Sequence, residues 1–338
     1  MKVLVIGGTR FLGHHITRRL LEKGHEVTLF NRGITPDDFG NRVERIQGDR
    51  YDARSFSEKL RTHRFDVVVD MIAYKPEDSR MAVETFLGHL DHYIHISTAA
   101  VYTVTQDYPC PLREEDYDRP LYRPEGARDE GWVYGVNKRG CEDVLREAHK
   151  VKGFPATMFR LPIVIGERDP TLRAYSYFIR IADQKPIILP DSGMNVFTHV
   201  YQGDVARTLV DNLQNPLAVG EVYNLAQERA VTLRSFVQKA ARIIGVEPEL
   251  VDIPAEILRR ASLGTPFSPF FNRRPFVLDV RKAKKDLQFF STPLETWLQK
   301  TIRWFFEQYE GGPPENYALR DRELDLIARY KRAAEALG

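Results

Sequence analysis

The stretch VLVIGGTRFLG, residues 3–13, is a continuous apolar run that stops at two glycines and restarts with apolar residues at helical spacing: Phe11, Leu12, Ile16, Leu20 and Leu21. It reads as a buried strand, a tight turn and a helix. In such a turn Gly7 permits the sharp reversal and Gly13 lets the helix pack closely on the strand. The N–H groups of the first helical turn then face an anion such as a phosphate. A loop of this type usually carries a third glycine in its middle, and here that position is Arg10. From the first helical turn its side chain can add positive charge without blocking the backbone donors. A glycine turn that joins strand to helix for purely structural reasons fits the same letters.

Outward from this unit the pattern repeats. Apolar runs at EVTLFN (26–31), VERIQGD (43–49), FDVVVDMIAY (65–74), HYIHISTAAVY (92–102) and ATMFRLPIVIG (156–166) alternate with helical segments, among them EDSRMAVETFLGHL (77–90) and Trp132 to Lys152. Near-continuous apolar strands separated by helices imply an α/β fold whose parallel sheet is covered on both faces. A polar stretch from Thr103 to Glu130 breaks the rhythm and is expected to be a long loop bordering the strand ends. The expected division is a nucleotide-binding domain over 1–169, a smaller substrate-binding part over 170–310 whose segments can interleave with the first, and a peripheral helical tail over 311–338 after the break at GGPP. Helices are predicted near 204–214, 232–245 and 293–309. Leu324, Ile327 and Ala328 are placed on one face of the tail.

Bulk composition narrows the function. Lys and Arg (49) nearly cancel Asp and Glu (47), so no global basic field holds nucleic acid. The two cysteines, Cys110 and Cys141, fit no metal spacing and suit a reducing compartment. The nine histidines form no H-E-x-x-H, so no metal site is expected. With no charged leader and no long apolar run, the expectation is a cytoplasmic protein with no membrane span.

Several residues at strand ends could do chemistry. Asn31 and Arg32 close the second strand, where a carboxylate would bind adenosine ribose hydroxyls; an arginine beside an uncharged residue instead welcomes a 2′-phosphate. Arg32 as a solvated turn residue is the alternative. Asp49 in GDRYD could accept from an adenine amino group or simply hold a turn. Tyr134 and Lys138 lie four apart on a predicted helix and so share a face. Making tyrosine a base near neutral pH needs about three pKa units, or about 4 kcal/mol. A lysine charge about 4 Å away at an effective dielectric near 20 supplies about that much. An exposed pair on a solvated helix fits the spacing equally well. Thr98, ending the fifth strand, could hydrogen-bond the substrate hydroxyl that Tyr134 deprotonates, or cap the next turn.

The order of these segments resembles the extended short-chain dehydrogenase/reductases, in particular the NAD(P)-dependent epimerase/dehydratase group acting on nucleotide sugars. The resemblance runs from residue 1 to about 310. It rests on GGTRFLG, GDRYD, STAAVY and YGVNK, with FRLPIVIGE, HVYQGDVAR, GEVYNLA, DVRKAKKDLQF and PLETWLQKTIRWF. It implies a Rossmann-type doubly wound parallel sheet with a smaller C-terminal substrate-binding domain. The implied catalytic trio is Thr98, Tyr134 and Lys138, with Tyr134 as acid/base and Lys138 also binding the nicotinamide ribose. The implied NAD(P)(H) site comprises Gly7, Thr9, Arg10, Phe11, Leu12, Gly13, Asn31, Arg32, Asp49, Arg50, Ile72, Ala73, Leu161, Pro162 and Ile163. Arg10 and Arg32 tilt it towards NADP(H). A homodimer through the helix bearing Tyr134 is expected.

Departures shape the activity. Ala99 and Ala100 stand where 4,6-dehydratases of the family carry an Asp-Glu pair, so redox or epimerisation is favoured over dehydration. Asn195 replaces a phosphate-binding arginine usual in nucleotide-sugar enzymes, leaving Arg273 and Arg274 either to bind a diphosphate or to hold a loop. The GGTRF opening also resembles a subgroup that includes the chloroplast stem-loop-binding proteins. The alternative it implies is a non-catalytic nucleotide-binding protein that binds RNA or responds to redox state.

Overall fold

The computed structural model of the chain describes residues 1–124, 129–263, 270 and 275–336. Two compact units emerge: Met1–Val164 with His199–Glu228 and Leu278–Ser291, and Ile165–Thr198 with Arg229–Val277 and Thr292–Gly338. No described helix is long and apolar enough to cross a membrane.

The first unit is built on a seven-stranded sheet. Its strands are β1 (Lys2–Ile6), β2 (Glu26–Asn31), β3 (Glu44–Gln47), β4 (Val67–Asp70), β5 (His92–Thr98), β6 (Ala156–Leu161) and a last strand, Val222–Asn224. The spatial order is β3-β2-β1-β4-β5-β6 followed by Val222–Asn224, and every pairing is parallel. Val3, Leu4, Val5 and Ile6 have no exposed surface, as a central strand covered on both faces requires. This is the doubly wound Rossmann order. It reverses direction at β1, so the carboxyl ends of β1 and β4 flank the switch point where such sheets bind ligands.

Helices α1 (Phe11–Glu22), α2 (Ala53–Leu60), α3 (Pro76–Phe86), the short α4 (Ala100–Thr103) and α5 (Glu130–Lys152) connect the strands. Several start or stop on a local signal. Pro76 opens α3 at the position where its missing N–H costs nothing. Asp129 caps α5 by accepting from Trp132 N at 3.0 Å, and Gly153 ends it with φ +69°. The predicted loop after Thr103 is tied down by a buried ion pair. Arg160 on β6 donates to Glu142 on α5 (Nη2 to Oε2 2.6 Å), to the Tyr102 hydroxyl (2.7 Å) and to the Glu114 carbonyl (2.9 Å). The Tyr117 ring stacks on the guanidinium, 4.6 Å away.

The second unit holds two small strand pairs, Ile187–Pro190 with Leu250–Ile253 and Val196–Phe197 with Val231–Thr232. Its helices are Arg173–Ala182, Leu233–Ile244, Ala255–Arg260, Leu294–Glu307 and Arg320–Glu335 among the described residues. The last helix packs within this unit. Leu326 and Ile327 join the core with Ile188, Val251, Ile253, Leu258 and Leu263, and Glu323 is buried against Arg180 at 2.5 Å. Of the three residues expected on one face, Ile327 is in this core, Leu324 packs against it and Ala328 is exposed.

Candidate functional site

The glycine loop forms as the sequence implies. Gly7 takes φ +91°, a conformation that side chains resist. A Cβ on Gly13 would stand 2.4 Å from the Gly7 carbonyl oxygen, so only glycine permits this approach of α1 to the loop. Thr17 donates to the Gly8 carbonyl at 3.0 Å and fixes the loop from within. No side chain caps α1, and its first turn carries no acidic residue. The first-turn N–H groups of α1 therefore have no intrahelical acceptor and suit an anion. Phe11, at φ +44°, is held in a strained left-handed conformation at this junction. Arg10 is exposed just before α1, Thr9 and Phe11 are half-buried, and Leu12 is buried behind them.

At the end of β2, Asn31 Oδ1 accepts from Gly33 N at 2.8 Å. That bond fixes the amide, and its Nδ2 is a buried donor with no partner among the described residues. An unmet donor asks for an acceptor oxygen, of which a phosphate has several. Arg32 next to it is exposed. Asp49 spends Oδ1 on Tyr51 N at 2.9 Å and so does hold a turn.

Arg50, expected in the cofactor set, turns its side chain into the core. It is 2% exposed, and its Nη2 donates to Asp70 Oδ2 (2.9 Å) and the Asp78 carbonyl (2.6 Å). Its guanidinium lies 4.3 Å from the Phe56 ring centroid. Burial opposes its charge, but Asp70, Tyr93 and Asp78 more than restore it. The carboxylate that draws it inward ends β4, a neighbour the local letters do not show.

Ile72 abuts the loop, since a Cβ on Gly7 would meet its Cγ2 at 3.0 Å. Ala73 is buried and offers its carbonyl to Lys138 Nζ at 2.8 Å. The other two Lys138 protons go to the Ile96 carbonyl (2.7 Å) and His95 Nε2 (3.1 Å). An ammonium has three donors, so none remains for a ribose hydroxyl in this arrangement. Lys138 is 2% exposed. Burial pulls its pKa down, against Cys141, Asp70, Glu142 and Asp78. What it offers the groove is charge.

Tyr134, 40% exposed, stands one turn earlier on α5. Between the two lies a residue the sequence reading missed. The Tyr74 ring centroid is 6.4 Å from that of Tyr134 and 5.7 Å from Lys138 Nζ. Burial and Asp70 push the Tyr74 phenol up, so it stays protonated at neutral pH. Its only signal was an aromatic residue directly after the strand-end pair Ile72-Ala73. Thr98 Oγ1 accepts from Ala100 N at 3.2 Å just before α4, which leaves the hydroxyl proton to be donated elsewhere. Pro162 and Ile163 are half-buried, whereas Leu161 is buried within β6 and contributes packing. Arg273 and Arg274 lie outside the described residues. Among the described residues no cluster of His, Cys, Asp and Glu could hold a metal.

Comparison with known proteins agrees with the fold. The profile of the NAD dependent epimerase/dehydratase family matches residues 3–226. The chloroplast stem-loop binding protein of 41 kDa b from Arabidopsis thaliana is 30% identical over 84% of this chain and 73% of its own length. A UDP-N-acetyl-alpha-D-glucosaminuronate decarboxylase from Bacillus cytotoxicus is 25% identical over 90% of this chain and 98% of its own. Among solved structures, UDP-glucose 4-epimerase from Thermotoga maritima superimposes with TM-score 0.72 over 91% of this chain and 99% of its own, at 20% identity. UDP-glucuronic acid 4-epimerase from Bacillus cereus, in complex with NAD, gives 0.70 over 92% and 100%, at 21% identity. With its strand order, its glycine turn and a family match across most of the first unit, the chain belongs to the NAD-dependent epimerase/dehydratase family.

Proposed function

We propose that the chain is an NAD(P)-dependent oxidoreductase or epimerase acting on a secondary alcohol or ketone, with a nucleotide sugar as the substrate class and NADP(H) as the favoured cofactor. The observation that carries the reading is that Tyr134, the Lys138 charge and the Thr98 hydroxyl all stand at the carboxyl ends of the strands served by the uncapped glycine loop. The residues fit a dinucleotide. The close approach at Gly13 leaves no room for a side chain, and the buried Asn31 donor is unmet. Gly7, Thr9, Arg10, Phe11 and Gly13 would hold the pyrophosphate, Asn31 and Arg32 the adenosine end, and Ile72, Ala73, Pro162 and Ile163 the nicotinamide end. Bound there, the cofactor supplies a hydride acceptor or donor.

Tyr134 takes the proton from the substrate hydroxyl as the carbinol carbon is oxidised, and returns it in the reverse direction. Thr98 donates a hydrogen bond to the same substrate oxygen. Lys138, held in place by the protein, favours the phenolate through its positive charge. The nucleotide-sugar part is supported by the substrates named for the decarboxylase and the two epimerases. A homodimer through α5 belongs to the same reading, and sedimentation measures it.

The test begins by denaturing freshly purified protein and weighing any released nucleotide, which separates NAD from NADP. Hydride transfer with UDP-glucose and related sugars is then followed for the wild type and Tyr134→Phe. Loss of at least about 100-fold in turnover is expected; full turnover in Tyr134→Phe overturns the mechanism. A second reading, RNA binding, rests on the 30% identity to the stem-loop binding protein. A salt-dependent shift of a structured RNA at physiological ionic strength would favour it.

A further inference from the structure

His95 is a buried imidazole that the reaction scheme above leaves unused. It lies within β5, fully buried, with Nε2 3.1 Å from Lys138 Nζ. Its Nδ1 has no partner among the described residues. An ammonium can only donate, so Nε2 must be the acceptor and the ring proton must sit on Nδ1. Burial, then the charges of Lys138 and Arg50, push the imidazole far below its ordinary pKa, in keeping with a neutral ring.

We propose that His95 is a positioning residue for the reaction at Tyr134: as a neutral Nδ1–H imidazole it accepts one proton of Lys138 and so keeps that ammonium charged and fixed one helical turn from the tyrosine. This rests on reading Tyr134 as the acid/base. The other two acceptors of Lys138 are main-chain carbonyls, at Ala73 and Ile96. Among the described residues His95 is thus the side chain that accepts a hydrogen bond from Lys138. Around the pair, Asp70 at the end of β4, Asp78 on α3 and Glu142 on α5 favour the ammonium, Arg50 after β3 opposes the imidazolium, and Tyr74, Tyr93 and Cys141 stay protonated. Without His95 the ammonium loses an acceptor in a site closed to water. Its charge is then disfavoured and its pull on the Tyr134 phenol weakens.

The experiment uses the full chain without substrate, labelled with 13Cζ-tyrosine and ring-15N-histidine and followed by NMR across about pH 5 to 11, a range that spans the midpoints of an ordinary imidazole and an ordinary phenol. Tyr134→Phe identifies the Tyr134 signal and His95→Gln that of His95. The wild-type His95 is expected to show the neutral Nδ1–H tautomer throughout. In His95→Leu the Tyr134 midpoint should rise by about one pH unit, the scale of a lost hydrogen bond to a charged group. His95→Gln, whose Oε1 can stand where Nε2 was, should restore it, and Lys138→Met should raise it further. An Nε2–H tautomer, an imidazole that protonates in this range, or a Tyr134 midpoint equal in wild type and His95→Leu overturns the proposal. If His95→Leu does not fold, the wild-type tautomer decides alone. A wild-type Tyr134 that titrates like a free phenol and ignores Lys138→Met overturns the acid/base reading itself, and this proposal with it.

Discussion

Replacing Asn31 by aspartate tests the cofactor site with little risk to the fold. The carboxylate has the volume of the amide and can still accept from Gly33 N, the bond that now measures 2.8 Å. What changes is the buried Nδ2, a donor unmet among the described residues, which becomes a charged acceptor. Facing a 2′-phosphate about 4 Å away, each pair of unit charges repels by about 1 kcal/mol in water and about 4 kcal/mol at the effective dielectric near a protein surface. Asn31 is half-buried, which places the penalty between these limits, at about 2–3 kcal/mol. At 1.4 kcal/mol per tenfold, NADPH affinity should fall by about 30- to 150-fold. NADH should bind as well or better, because a carboxylate at this position accepts from ribose hydroxyls. Titration of nicotinamide fluorescence at about 0.15 M salt reads both affinities under ordinary screening. If the NADPH to NADH affinity ratio moves by less than about 3-fold, against the roughly 30-fold expected from the charge calculation, the adenosine 2′-phosphate does not sit at Asn31 and the NADP(H) assignment fails.

Two further substitutions probe the scaffold. Gly13→Ala puts a Cβ 2.4 Å from the Gly7 carbonyl oxygen, so α1 must move off the loop; denaturant unfolding should show a loss of about 1–3 kcal/mol, and dinucleotide affinity should drop with it. Glu142→Gln strands the buried Arg160 guanidinium and should cost about 3–5 kcal/mol in the same assay. Burial alone would push the Glu142 carboxyl up, but Arg160 and Ser97 hold it below the usual carboxylate range. A carboxylate depressed in the folded state gives its full stability above the ordinary glutamate pKa, about 4.3, and loses it as pH falls further. Wild-type stability should therefore fall on acidification below about pH 4, and Glu142→Gln should show a shallower fall.

How legible each residue was depends on where its partners lie. The glycine loop, α1 and β2 were readable because their signals are local: an apolar run, a glycine where the backbone must turn left-handed, a helical period. The inward turn of Arg50 is not legible in its own stretch, GDRYD. Its partner Asp70 is twenty residues away. Tyr74 and His95 were missed for a related reason, since an aromatic after a strand and a histidine within one are ordinary letters until α5 lays Lys138 against both.

The sequence by itself determined the parallel α/β sheet, the strand–turn–helix glycine unit and the shared helix face of Tyr134 and Lys138, because periodicity and glycine placement act over one or two turns of chain. Only the tertiary structure decided that Lys138 spends its donors on Ala73, Ile96 and His95, that Arg50 belongs to the core, and that the last helix packs inside its unit. Those outcomes follow from burying charges. A buried cation or carboxylate must find a partner wherever the fold brings one, and strands far apart in sequence supply it.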